Sequence, residues 1–104
     1  MEKYIIDIST EAKQDLGNIL DYIKNKLLEP VVANKYLRLI NEKIKSLEYY
    51  PERFGVIDSE LIENKTYRKL IIKNYIVIYR VDVEKKTVHI VRVVYGGMDF
   101  ENLL

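Results

Sequence analysis

Hydrophobic and polar positions follow two different periods along the chain, and each period predicts one kind of element. Residues 4–8 alternate with a period of two, so Tyr4, Ile6 and Ile8 share one face of a predicted strand. After Ser9 the apolar positions recur every three or four residues, which is typical of an amphipathic helix. These positions are Ala12, Leu16, Ile19, Leu20, Ile23 and Leu27.

Boundary signals divide the helical region into two helices. Ser9 can cap the first helix, and Glu11 places a negative charge in the first turn, where the helix dipole favours it. Residues 28–30 end this helix, since proline is tolerated at a first helical position and disfavoured inside. A second apolar stripe then runs to Pro51, and so short a connection predicts an antiparallel hairpin. The second stripe consists of Ala33, Tyr36, Leu37, Ile40, Ile44 and Leu47.

The region 67–95 has a β pattern throughout. We predict strands at 67–72, 75–81 and 87–95, joined by tight turns into an antiparallel meander. The two long strands are apolar on both faces, although a sheet with one solvated face should alternate with polar residues. If Asp82 pairs with Thr87, one face carries Ile76, Ile78, Arg80, His89, Val91, Val93 and Tyr95. We expect the helical hairpin to cover one face, and the loop at 52–66, the tail at 98–104 or a partner chain to cover the other.

These elements predict a single α+β domain over residues 1–104, in which an N-terminal strand and a helical hairpin pack on an antiparallel sheet. The length of 104 residues supports one hydrophobic core, and 17 basic against 16 acidic residues give a net charge of +1, without the excess of a general nucleic-acid binder. One histidine and no cysteine argue against a metal site, and we expect no cofactor. Because the sequence shows neither the apolar segment of a signal peptide nor an apolar stretch long enough to span a membrane, we expect a cytoplasmic protein without membrane contact.

Four blocks of sequence resemble the RelE/ParE toxins of bacterial toxin–antitoxin operons. Residues 8–16 are similar to the family's opening I-S-P-E-A-K-x-D-L, with Thr10 in place of the proline. The second block consists of residues 20–23 together with residues 29–30, 33 and 35–37 across the hairpin. The third block is residues 74–82. The fourth, 88–104, is similar to the closing V-x-H/Y-G-R-R-D-x-x-x-L-L. The order of the four blocks makes the signal specific, and the loop at 52–66 is the main unmatched stretch.

The resemblance implies a toxin that a small antitoxin from the same operon neutralises, as in the plasmid stabilisation proteins. RelE-like members are ribonucleases that cut messenger RNA in the ribosome. ParE-like members share the fold and are understood to poison DNA gyrase. Because one fold serves both mechanisms, the site residues must decide between them.

The groups that RelE-like cleavage needs are largely missing. Attack by a 2′-hydroxyl needs a base, an acid and cations for the phosphate. The resemblance places an arginine after the residue that opens the second meander strand, but Ile76 follows Tyr75 here. Gly97 and Met98 replace the family's basic pair.

A rearranged site would use the remaining polar residues, Tyr95 and Arg68 as catalytic groups and Lys69 and Lys73 as phosphate contacts. Tyr95 matches a position where several of these RNases carry a functional tyrosine or histidine. Tyr95 could instead pack under the tail, and the basic residues could instead guard a strand edge. Arg80 and His89 complete the candidate target-binding residues, and we expect Arg92 to hold Asp99 or Glu101 of the tail.

Three hypotheses follow. The chain is a ParE-like toxin that binds a protein target, an mRNA endoribonuclease with a rearranged site, or a degenerate member that retains only antitoxin binding. All three predict an antitoxin that lays an amphipathic helix or strand over an apolar surface. The expected partner-binding residues are Ile76, Ile78, Val91, Val93, Phe100 and Leu103.

Overall fold

The computed structural model describes residues 2–26, 28–57 and 66–96. Strand β1 (Ile5–Ile8) leads into helix α1 (Thr10–Asp21), which continues as a π-helical turn at Tyr22–Lys26. The Ser9 hydroxyl oxygen accepts a hydrogen bond from the Ala12 N–H at 3.0 Å, so the predicted cap is confirmed. Helix α2 (Pro30–Lys45) begins at the proline and is followed by 3-10 turns at Ser46–Glu48 and Pro51–Arg53.

The remaining strands are β2 (Arg68–Ile72), β3 (Tyr75–Asp82) and β4 (Thr87–Tyr95), and the sheet order is β1-β4-β3-β2. β2, β3 and β4 form the predicted antiparallel meander. β1 pairs with β4 in parallel, which makes the sheet mixed. A parallel pair requires a long crossover, and the helical hairpin provides it. The α+β class is therefore confirmed.

A β-bulge changes the face on which the end of β4 lies. Asp82 pairs with Thr87 as expected, but Ile78 lies opposite Arg92 and Tyr79 lies opposite Ile90. Val91 is the extra residue, and every later residue of β4 changes face relative to simple alternation. The prediction that Val93 and Tyr95 share a face with Ile76 and Ile78 is therefore wrong.

The sheet has a helix-side face, which the two helices cover, and an outer face opposite to it. The main core lies on the helix side and joins residues of both helices to all four strands or their ends. It consists of Tyr4, Ala12, Ile40, Ile44, Leu47, Leu70, Ile72, Val77, Tyr79, Val88, Ile90 and Val93. A smaller cluster on the outer face consists of Ile57, Ile76, Ile78 and Val94, with Tyr67 packed against it. The prediction that the loop at 52–66 helps to cover the outer face is met in part, because Ile57 of that loop belongs to this cluster.

Several predictions fall on residues outside the described ranges. They are the amphipathic tail at 98–104 with Phe100 and Leu103, the proposed Arg92 partners Asp99 and Glu101, the middle of the loop at 58–65, and Leu27.

Candidate functional site

Tyr95 lies at the end of β4 in a group of tyrosines. Its ring centroid is 6.0 Å from that of Tyr75, which is 5.8 Å from that of Tyr36 on α2, and both pairs meet edge to face. Aromatic rings favour this geometry. Tyr95 itself is 57% exposed, so its hydroxyl end can reach a bound molecule.

Burial at the centre of this group raises the pKa of Tyr75, and the neighbouring Tyr36, Tyr22 and Tyr95 add to the effect. A tyrosine is already protonated at neutral pH, and the raised pKa makes Tyr75 a poorer general base still. Of these four residues, only Tyr95 is a candidate site residue from the sequence alone. The signal that could have found the group is the count of nine tyrosines and no tryptophan, but their convergence depends on the packing of α2 on β3.

Arg68, the second catalytic candidate, is held by backbone carbonyls. Its Nη1 donates to the carbonyl oxygens of Glu52 at 2.8 Å and Phe54 at 2.7 Å, and its Nη2 lies 3.7 Å from the Glu52 carboxylate. These bonds fix the 3-10 turn before the loop against β2. Only 18% of the side chain is exposed. The arrangement gives Arg68 a structural function and leaves little of the guanidinium for a phosphate.

The candidate cations do not converge. Arg68 and Lys69 are successive residues of one strand, so their side chains leave opposite faces of the sheet. Arg68 pairs with Tyr79, whereas Tyr95 pairs with Tyr75, four residues away along β3. That separation corresponds to about 13 Å. Lys73 is the only candidate cation near the tyrosine end among the described residues, because the adjacent Asn74 carbonyl accepts from the Gly96 N–H at 2.8 Å.

Arg92 pairs with an aspartate of α1 that the sequence analysis did not consider. Its Nε and Nη2 donate to the two Asp15 carboxylate oxygens at 2.8 and 2.9 Å, and the Val93 N–H donates to the same carboxylate at 2.9 Å. The bonds to Asp15 raise the pKa of Arg92. The Ser9 hydroxyl donates to the Val91 carbonyl at 2.8 Å. Helix α1 thus seals the edge of β4 beyond the end of β1.

Arg80 and His89 are brought together on the outer face. They are paired neighbours on β3 and β4, and the His89 Nδ1 lies 3.1 Å from the Asp7 carboxylate on β1. Asp7 is 63% exposed, and His89 is partly exposed. These three residues form a polar row across three strands that can bind charged groups of a partner. This row lies on the face opposite to Arg68 and the tyrosine group.

Of the four expected partner-binding residues that the structure describes, three are buried. Ile78 has no exposed surface, Ile76 is 8% exposed, and Val93 belongs to the helix-side core. Val91, the bulge residue, is partly exposed. On the outer face the large exposed apolar side chains lie on the edge strands, Ile5 on β1 and Ile71 on β2. The centre of the outer face is therefore a smaller open surface than its sequence indicates.

Within residues 2–26, 28–57 and 66–96, we find no cluster of three or more histidine, cysteine, aspartate or glutamate side chains that could hold a metal ion. In the same ranges no helix is both long and apolar enough to cross a membrane.

Comparison with known proteins gives one family and a set of related folds. The model of the ParE toxin of the type II toxin–antitoxin system parDE matches residues 6–100. A comparison with curated protein sequences gives no match.

Three solved structures share the fold. The chromosomal ParDE system from P. aeruginosa aligns with a TM-score of 0.72 and 23% identity, over 89% of this chain and 96% of that one. The RelBE2 toxin–antitoxin complex from Mycobacterium tuberculosis gives 0.64 and 24%, over 91% and 93%. The RelE–RelB complex from Pyrococcus horikoshii OT3 gives 0.62 and 23%, over 91% and 97%. The match to the family model covers most of the sequence, and the chain belongs to the ParE toxins of type II toxin–antitoxin systems.

Proposed function

We propose that this toxin acts by binding a protein target such as DNA gyrase, and that a cognate antitoxin from the same operon neutralises it. The observation that supports a binding mechanism is the dispersal of the residues that RNA cleavage would need. The Arg68 guanidinium donates to two backbone carbonyl oxygens, and the Lys69 side chain lies on the other face of the sheet. Tyr95 lies about 13 Å from Arg68 along the strands.

A ribonuclease needs its acid, base and phosphate-binding cations around one scissile bond. Burial raises the pKa of Tyr75 and so makes it a poorer base, and Ile76 occupies the position next to it without charge or proton. His89 could accept a proton, but it lies on the outer face beside Asp7. The described residues therefore place no complete set of cleavage groups at one point.

The second candidate function is ribosome-dependent cleavage of messenger RNA at the tyrosine end of the sheet. One observation favours it. Tyr95 is exposed there, and Lys73 lies in the adjacent turn, so an aromatic surface and one cation share the same end. Stacking of a base on Tyr95 with a phosphate on Lys73 is the interaction that this site offers. A degenerate chain that keeps only antitoxin binding is the third candidate.

The antitoxin part of the proposal rests on the family and on the neighbours with the same fold, which are toxin–antitoxin systems and complexes. Co-expression with the product of the adjacent small open reading frame should give a complex that survives purification. Failure of that product to bind would count against neutralisation by a cognate antitoxin.

The two mechanisms are separated by adding the purified toxin to a gyrase supercoiling assay and to a cell-free translation reaction. We expect loss of supercoiling with intact messenger RNA. Codon-phased cuts in ribosome-bound messenger would instead establish the ribonuclease, and in that case Tyr95→Phe and Lys73→Ala should reduce cutting. Lys85→Ala, in the turn at the other end of the sheet, is the matched control. Inactivity in both assays would favour the degenerate chain.

A further inference from the structure

Tyrosines from four different elements meet at one end of the molecule. Tyr75 opens β3, and Tyr36 of α2 and Tyr95 of β4 contact it edge to face. Tyr22, at the end of α1, is near enough to add to the rise in the pKa of Tyr75. These four residues are the tyrosine group. Tyr22 and Tyr95 are more than half exposed, and Tyr36 and Tyr75 are partly buried.

The hydroxyl groups of the tyrosine group are available to a partner. No hydrogen bond of these four hydroxyls to another described residue is seen, whereas the buried Tyr79 hydroxyl donates to the Pro51 carbonyl oxygen at 2.6 Å. Tyrosine joins a rigid apolar ring to a polar end, and it is enriched among the residues that contribute most to protein interfaces. The tyrosine group therefore has the composition of an interface centre.

The rings of this group do not form a flat platform. The planes of Tyr36 and Tyr75 make an angle of 82°, and those of Tyr75 and Tyr95 make an angle of 76°. Successive bases of a single-stranded nucleic acid stack on open ring faces. Rings that are nearly perpendicular leave notches between them, and such notches fit single apolar side chains. The geometry thus favours a protein over a nucleic acid as the occupant.

The connection between the two helices extends the same surface. The Glu29 N–H donates to the Ile23 carbonyl oxygen at 3.1 Å, which holds the connection against the chain just after Tyr22. Leu28 and Val31 are exposed there, and Leu28 has a φ of 54°. Leucine rarely adopts this left-handed conformation, and an exposed leucine gains no burial in return. Local preferences are overridden in this way at places where a partner is bound.

Positive charge is concentrated at this end of the molecule. The segments 21–36, 73–75 and 95–96 contain four lysines and two acidic residues, an excess of two, whereas the whole chain has a net charge of +1. The lysines are exposed, and none lies within salt-bridge distance of a carboxylate in the described part of the chain. They are Lys24, Lys26, Lys35 and Lys73. A partner that is acidic around its apolar contact is complementary to this surface.

We propose that the tyrosine group, together with Leu28 and Val31, is the surface through which the toxin docks on its protein target. The target places an apolar side chain between the rings, and carboxylates around that side chain accept from the tyrosine hydroxyls and the lysines. The inference rests on the protein target of the proposed function and assigns the contact surface and its chemistry.

The direct test is the affinity of the purified toxin for purified DNA gyrase, measured by surface plasmon resonance. Tyr22→Ala and Tyr95→Ala should each weaken binding at least about tenfold. Tyr50→Ala is the matched control, because Tyr50 is similarly exposed but lies beside Tyr4, at the other end of the sheet. It should bind as the parent does.

Leu28→Gly separates binding from stability. Glycine adopts a positive φ without strain, so this variant should not unfold at a lower temperature than the parent. It should nevertheless bind gyrase about fivefold more weakly, because an apolar contact is lost. A change that leaves the free toxin as stable and still weakens binding indicates a contact residue.

Charge reversal tests the acidic character of the partner. Lys24→Glu and Lys73→Glu should each weaken binding by about tenfold, mainly through slower association, and added salt should reduce the difference from the parent. Lys85→Glu, in the turn at the other end of the sheet, is the control. Thermal unfolding of every free variant checks that it folds.

The outcomes separate this inference from the proposed function. If the unsubstituted toxin does not bind gyrase, the proposed target fails and this surface assignment fails with it. If the toxin binds while Tyr22→Ala, Tyr95→Ala and Leu28→Gly bind as tightly as Tyr50→Ala, this inference is wrong and the proposed target stands. Variants that bind gyrase normally and lose the co-expressed antitoxin, or lose the cutting of messenger RNA, would assign the surface to those partners and overturn the inference.

Discussion

The two faces of the sheet are similarly apolar in sequence and differ in what the rest of the chain does with them. The helix-side face is a continuous core that spans all four strands, and it is tied to its cover by the Arg92–Asp15 pair and by a bond from the buried Tyr79 hydroxyl to the Pro51 carbonyl at 2.6 Å. The outer face has a small apolar cluster at one end and the Asp7–His89–Arg80 row at the other. An apolar pattern on both faces therefore does not imply equal contributions to stability.

The largest expected difference is between apolar side chains. Ile90 is fully buried on the helix side, and Ile71 is 63% exposed on the outer side. Ile90→Ala should lower the free energy of unfolding by about 3 kcal/mol, since it removes buried methyl groups and leaves a cavity. Ile71→Ala should cost less than about 1 kcal/mol. Urea unfolding of both variants checks this, and equal losses would contradict the contrast between the faces.

A second comparison uses two aspartates that each hold a basic side chain. Asp15 accepts from Arg92 and from the Val93 N–H and is 12% exposed, whereas Asp7 is 63% exposed beside His89. Asp15→Ala should cost about 2–3 kcal/mol, because it leaves a partly buried guanidinium and a backbone donor without their acceptor. Asp7→Ala should cost less than about 0.5 kcal/mol. Thermal unfolding checks this, and only a small decrease in the free energy of unfolding of Asp15→Ala would show that water replaces the carboxylate.

The smallest expected effect concerns two tyrosines, Tyr79 in the helix-side core and Tyr67 against the outer cluster. Tyr79→Phe should cost about 1–2 kcal/mol at pH 7, because the Pro51 carbonyl loses its donor. Tyr67→Phe should cost less, since no hydrogen bond of its hydroxyl to another described residue is seen.

Burial raises the pKa of Tyr79 to about 12, above the value near 10 of an unfolded tyrosine. The neutral hydroxyl is therefore favoured in the folded chain, and its contribution is fully present below pH 10. It is lost as the pH rises from 10 to 12. Denaturant titrations over this range should show a shallower decline in Tyr79→Phe than in the parent or in Tyr67→Phe. Parallel declines would contradict a selective role for Tyr79.

Much of the fold could be predicted because periodicity reports on local burial. The strand and helix patterns, the cap at Ser9 and the break at Pro30 each depend on a few neighbouring residues, whereas α2 ends at Lys45, before the predicted break at Pro51. The faces of β4 could not be predicted, since the bulge at Val91 arises from pairing with β3 and reverses the alternation for the residues that follow. One inserted residue moved Val93 and Tyr95 from the expected face to the other.

The candidate site was less predictable than the fold for a similar reason. The sequence singles out Arg68 as a basic residue of the first meander strand and Arg92 as an arginine of a strand with a continuous β pattern, but their acceptors are 16 and 77 residues away in sequence. Backbone carbonyls such as those of Glu52 and Phe54 carry no sequence signal at all. The tyrosine group likewise depends on Tyr36 of α2 meeting Tyr75 of β3.

The bonds from α1 to the end of β4 also constrain how the toxin is made. Ser9 and Asp15 find their partners 82 and 78 residues later, at Val91 and Val93. During synthesis, β1 and α1 emerge before β4 and have no β4 to pair with until residues 87–95 have been translated. Contacts this distant in sequence slow folding, and they leave the nascent domain incomplete on the ribosome. Formation of the native domain therefore waits for the translation of β4, which is the strand that holds the start and the middle of α1 in place.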